Sequence, residues 1–243
     1  MSSEHIIKSY DEGLEHLRKL IGSMGQLAET QLYDAVDAVI RRDSDLAARV
    51  VQRDADLDYL EKEVAEIVVR LLALLQPVAV DLRVIVASLK MSADLERIGD
   101  YAANIGKRAI ILNQSPPIAP VHALARMSRF AERQIRQVLE ALENRDTHKA
   151  LVVWTHDEEL DEMTGGLFRE LITYMMEDPR SITAATHLLF MAKNIERIGD
   201  HVTNIAESVY FLVEGEELSA GARRFSHASS LSSASENSSP KEL

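Results

Sequence analysis

Glu96-Arg97-Ile98-Gly99-Asp100 sets two carboxylates four residues apart, and the same five residues return as Glu196-Arg197-Ile198-Gly199-Asp200. On a helix, which turns 100° per residue, such a pair lies about 40° apart and one turn along a single edge. Two further pairs share the spacing, Asp54/Asp58 and Asp157/Asp161, one upstream of each pentapeptide. Like charges so placed repel by roughly a few tenths of a kcal/mol. If the edges of consecutive helices face each other, four carboxylates converge, and only a cation makes that favourable. The chain has no Cys, so ligation would be through oxygen, which suits Mg²⁺, Mn²⁺ or iron, with zinc as a further divalent candidate. Asn104 and Asn204, one turn beyond each pentapeptide, are possible carbonyl ligands. Gly99 and Gly199 fall inside the same expected helices, where Gly is costly, which points to close approach by a neighbouring backbone or an ion.

Acidic pairs are also common in a chain with 39 Asp and Glu; Glu158/Glu162 is one with no counterpart in the first half. The apolar stripe Leu95, Ile98, Ala102, Ile105 and Ala109 lies largely opposite Glu96 and Asp100, so the carboxylates are expected on or near the solvated face. Taken singly, each pair reads as an ordinary surface pair. Recurrence of both pairs at matching places in both copies shifts the balance towards ions. Arg97 and Arg197 read as structural partners of neighbouring acids. The eight His are scattered without ligand spacing, and no Glu-x-x-His occurs, which argues against a ferritin-like di-iron site. No Walker loop, GxGxxG or nucleophile elbow is present, so the expectation is a protein that is not an enzyme.

The elements that carry these residues repeat. Met24, Ala28, Gln31, Asp43, Asp54, Leu57 and Asp58 recur 103 positions later. From Leu89 to Ile105 the offset is 100, with nine identities in seventeen positions, and that density marks an internal duplication. Apolar residues at spacings of three and four predict six long helices, near 4–42, 44–75, 80–112, 121–144, 147–176 and 180–213. The fold class is therefore all-α: two tandem three-helix up-down bundles. The expected organisation is a first bundle over 4–113, a Pro-rich linker over 114–120, a second bundle over 121–213, and a Ser-rich tail over 214–243 that cannot bury enough apolar surface to order. Gly22 and Gly25 weaken the first helix locally, by about 1 kcal/mol each relative to Ala.

Composition narrows the function. The balance of 27 Lys and Arg against 39 Asp and Glu, a net charge of −12, repels a phosphate backbone, so no nucleic-acid partner is expected. Absence of Cys excludes disulfides and thiolate metal sites. No apolar run of 18 residues occurs, so no membrane insertion is expected, and a cytoplasmic location follows as an expectation.

The doubled Glu-Arg-Ile-Gly-Asp with downstream Asn-Ile, the Gln76-Pro77 to Asp81-Leu82-Arg83 stretch, Met24-Gly25 and the two Asp-x-x-x-Asp pairs together resemble the PhoU family of phosphate-signalling proteins. The likeness covers about residues 4–213. It implies an all-α chain of two similar three-helix bundles, usually a homodimer, binding multinuclear metal clusters through paired acidic motifs. Carried onto this sequence, one cluster would use Asp54, Asp58, Glu96 and Asp100, and the other Asp157, Asp161, Glu196 and Asp200. The resemblance further implies a negative regulator of phosphate uptake and of the phosphate-starvation response. Its expected partners are the nucleotide-binding subunit of a phosphate ABC transporter and a sensor histidine kinase, reached at the cytoplasmic side of the inner membrane. The second copy lacks the Gln-Pro to Asp-Leu-Arg stretch, so any role of that stretch belongs to the first bundle. The competing reading is an all-α, metal-dependent nucleotide or phosphoester hydrolase. Such a site needs cations to neutralise its substrate; Lys90, Arg97, Lys107 and Arg108 lie near the first motif, but only Lys193 and Arg197 near the second.

Overall fold

The computed structural model describes the backbone of residues 2–74 and 79–218, and their side chains except those of residues 2–9, 74 and 157. Gln76-Pro77 and the tail from 219 onward, both singled out in the sequence, lie outside the described residues.

The chain forms α1 (Ser2–Arg41), α2 (Ser44–Leu74), α3 (Ala79–Leu112), α4 (His122–Asn144), α5 (Thr147–Thr155), α6 (Asp157–Glu177) and α7 (Ile182–Glu214). Among the described residues there is no strand. Helix ends are set locally, and in duplicate. Arg42 and Arg145, 103 residues apart, leave α1 and α4 in the left-handed region at φ 58° and 51°. The next residue in each copy caps the following helix. The Asp43 carboxylate accepts from the Leu46 amide at 2.8 Å, and the Asp146 carboxylate accepts from the Lys149 amide at 2.9 Å, as short polar side chains do at helix starts. Gly215, at φ 81°, ends α7.

The element expected over 147–176 is interrupted at His156, and side chains explain the break. Thr155 Oγ1 donates to the Val152 carbonyl at 2.9 Å, and His156 Nδ1 meets the same oxygen at 2.5 Å. The backbone ladder loses the competition for that acceptor, and the His156 amide turns to the Val153 carbonyl instead. As a result Asp157 opens α6, whereas its duplicate Asp54 lies well inside α2.

Between α3 and α4 the chain is non-helical over 113–118, then makes a 3-10 turn over Ala119–Val121 that buries Pro120. Ile118 is buried as an apolar plug. Arg42 holds this crossing: its guanidinium donates to the carbonyls of Asn113 and Ser115, a cation placed on the negative end of α3.

α2 and α1 pack on α3, and α4, α5 and α6 pack on α7. The halves then join through α3 against α7 and α1 against α4. The α3–α7 pair runs antiparallel, since Asp94 meets His201 and Asn204 while Arg108 lies 4.2 Å from the Phe190 ring. Across the seam His201 Nδ1 is 2.8 Å from Asp94 Oδ1, and the Tyr101 and His201 rings are 5.6 Å apart. At the α1–α4 crossing, a Cβ on Gly25 would overlap the end of Leu139, so glycine permits that approach. The apolar faces of both halves merge into one continuous core that includes Leu17, Met24, Leu57, Ile98, Met127 and Ile198.

Candidate metal centre

α2 and α3 bring the first acidic set together. The anticipated stripe on α3 is fully buried, Leu95, Ile98, Ala102, Ile105 and Ala109 alike. Its packing leaves Glu96 and Asp100 half-buried on the edge that faces α2, with Glu96 the more enclosed at 17% side-chain exposure against 35%. Burial raises the Glu96 carboxyl above its ordinary range; Asp100 raises it further, Arg97 opposes, and Glu61 and Asp58 of α2 add to the rise. Asp54 is raised first by burial, then by Asp100 across the helix pair and by Asp58 one turn along, while Lys107 and the Gln31 amide pull it down. These are carboxylates within electrostatic reach of one another, from two helices, in a partly desolvated place.

The sequence reading missed Glu61 as a member of this edge. Its signal was available: Asp54, Asp58 and Glu61 fall at i, i+4 and i+7, which a helix places along one edge.

The edge is charged but not pre-assembled. Among the described residues, no three His, Asp or Glu side chains stand together as a ready-made ligand set. Arg97 occupies part of the space, 2.9 Å from Asp100 and 3.5 Å from Glu96. Asn104 Oδ1 accepts from Lys107 at 3.5 Å. The second half is arranged differently, with its glutamate enclosed at 11% side-chain exposure and its described aspartates at the surface. Glu196 is paired with Lys193, Asp161 and Asp200 are exposed, and the Asp157 side chain lies outside the described residues. Asn204 is turned away from its motif, donating to Asp94 across the seam at 3.2 Å.

The mid-helix glycines have a packing cause. A Cβ on Gly99 would overlap Leu57, and one on Gly199 would lie 2.6 Å from Leu160. Leu57 and Leu160 are duplicates, so each half seats the same α2-type leucine on the same glycine. Close approach by a neighbouring helix, rather than by an ion, accounts for them.

The donor chemistry fits hard cations. Oxygen would be the donor atom throughout, Asp54 and Glu96 have raised proton affinity, and Arg97 is an exposed partner whose pairing is worth about 0–1 kcal/mol and is easily exchanged.

Comparison with known proteins agrees with the duplicated, all-helical architecture. The family model for the PhoU domain matches twice, over residues 21–109 and 124–209. The chain is 50% identical over 219 residues to the phosphate-specific transport system accessory protein PhoU homolog of Caulobacter vibrioides, covering 90% of this chain and 95% of that one. It is 50% identical over 214 residues to the Xylella fastidiosa homolog of the same description, covering 88% and 90%. The crystal structure of PhoU from Pseudomonas aeruginosa superposes with a TM-score of 0.82 at 38% identity, covering 85% of this chain and all of that one. That of the phosphate transport system regulatory protein PhoU from Streptococcus pneumoniae gives 0.79 at 27% identity, covering 86% and 99%. With both halves matched by the domain model and half of the aligned residues shared with the Caulobacter vibrioides relative, this chain belongs to the PhoU family.

Proposed function

We propose that the protein is an accessory regulator of a phosphate transport system, and that it acts as a cation-loaded helical scaffold rather than as an enzyme. The observation that carries the cation part is the acidic edge that α2 and α3 form together: Asp54 and Glu96 are partly buried on it, and each is raised first by that burial and then by Asp100, with Asp58 adding to both. Such an edge is strained by its own charge unless positive charge is supplied. A bound divalent cation supplies that charge and links the two helices. Asp54, Asp58, Glu96 and Asp100 would hold it in the first half, with Arg97 giving up Asp100; Asp157, Asp161, Glu196 and Asp200 are the second set. The regulatory part rests on the relatives, which are described as phosphate transport accessory and regulatory proteins. In this reading the protein works at the cytoplasmic face of the membrane as a homodimer. It joins the nucleotide-binding subunit of a phosphate ABC transporter to a sensor histidine kinase and represses uptake when phosphate is plentiful. Among the described residues no helix is long and apolar enough to cross a membrane, which accords with attachment through partners.

The test is metal analysis after gentle purification, together with thermal unfolding in chelator and in excess Mg²⁺ or Mn²⁺. A cation that binds only the folded chain stabilises it by mass action, by about 2.7 kcal/mol at a hundredfold excess over Kd, and so raises the unfolding temperature. Glu96→Ala with Asp100→Ala is expected to lower the metal content and to abolish the first half's share of that rise. Unchanged stoichiometry and an unfolding temperature indifferent to cations would remove the reading. Turnover of nucleoside triphosphates or phosphoesters by the loaded protein, lost in the same variant, would favour the hydrolase instead.

A further inference from the structure

Gln31 on α1 has no exposed surface, and its duplicate Gln134 on α4 is only 5% exposed. In both, Oε1 is buried without a hydrogen-bond partner. An unsatisfied buried carbonyl costs free energy, and a methionine of similar volume would fill the space without that cost. Packing therefore gives no reason for an amide here, yet the amide is present in both copies.

The far end of the side chain supplies a reason. Gln31 Nε2 donates to the Val50 carbonyl at 3.3 Å, four residues before Asp54 and so on the helical turn from which Asp54 projects. Oε1 meanwhile lies 3.4 Å from where a Cβ on Gly99 would stand, between Glu96 and Asp100 on α3. One buried side chain thus touches both helices that carry the acidic edge, gripping α2 beneath Asp54 and resting on α3 at Gly99. A half-turn of the amide does not relieve the orphan, because it would set two oxygens against each other at Val50. In the second half Gln134 lines a pinhole cavity of about 10 Å³ with Leu160 and Gly199, the duplicates of Leu57 and Gly99.

We infer that Gln31 is a positioning residue for the first cation site, holding the α2 turn that bears Asp54 at a fixed spacing from the α3 edge. This rests on the cation reading above, and the two can fail separately. The probe is Mn²⁺, titrated into the full chain and followed calorimetrically, alongside urea unfolding in chelator. Gln31→Met is expected to weaken Mn²⁺ binding to one class of sites about tenfold, as loss of a residue supporting a ligand typically does. In chelator the same variant should unfold at equal or higher urea, because the orphan carbonyl is gone. Opposite movement of affinity and stability is the signature, since a purely structural glutamine would move both together. Should Gln31→Met fold poorly, Gln31→Asn draws the amide back by one methylene and is expected to lose Mn²⁺ affinity while keeping the fold. Undiminished affinity in the variants, or loss of affinity and cation-free stability in step, overturns the inference. Absence of Mn²⁺ binding by the unaltered protein overturns the cation reading itself, before any variant is examined.

Discussion

Glu96 shows what one residue contributes and how to test it. Its folded-state proton affinity is raised, with burial the main cause and Asp100 the next. An acid so raised lends its full share of stability at pH below the ordinary carboxylate range and loses it as pH climbs through the elevated value. Without cations, Glu96→Gln should therefore stabilise the protein at pH 7, by a few tenths to about 1 kcal/mol, and should match the unaltered protein in acid. Urea midpoints in chelator at the two pH values give the answer; an equal gain at both would remove the charge explanation. The residue types and their spacing were legible because a period of 3.6 puts i and i+4 on one edge; the grouping of Asp54 and Asp58 with Glu96 and Asp100 came from the family resemblance, not from that period. Glu61 was passed over although its spacing from Asp54 and Asp58 showed it, whereas Gln31 carried no such signal, because its place depends on which helix faces which.

At the scale of elements, the duplicated caps at Asp43 and Asp146 and the left-handed residues before them explain why short turns join long helices. The glycines divide by what surrounds them. Gly22 lies within α1 with open space where a Cβ would go, whereas Gly25, three residues on, is pressed by Leu139. Gly22→Ala is expected to stabilise by about 0.5–1 kcal/mol through the lower entropy of alanine. Gly25→Ala should cost about 0.5–1.5 kcal/mol, because the end of Leu139 must leave its rotamer to make room. Chemical unfolding of the pair checks both signs at once. Both had read in the sequence as equal weak points, since propensity is local and the Leu139 contact joins residues more than a hundred positions apart. The break at His156 escaped the periodicity for a related reason. The apolar pattern runs through it unchanged, while Thr155 and His156 compete with the backbone for a single carbonyl.

At the scale of the whole molecule, α3 and α7 form a seam in which the residues following the two pentapeptides, Tyr101 and His201, meet ring to ring in a tilted contact. Both halves bury their apolar faces in one core. Calorimetry of the full chain is accordingly expected to show one cooperative transition, and the first half expressed alone, ending after α3, none under the same conditions. Two separate transitions in the full chain would count against a shared core. Composition and periodicity alone determined that this chain is helical, duplicated and free of thiolate chemistry, and that its acids fall along helix edges, because these follow from residue types and a fixed pitch. Only the tertiary structure decided which edges meet, how far the first acidic edge is buried, that leucines rather than ions lie against Gly99 and Gly199, and that the second set begins at a helix start rather than within one. Those outcomes depend on distances between residues far apart in the chain, and such distances are set by packing.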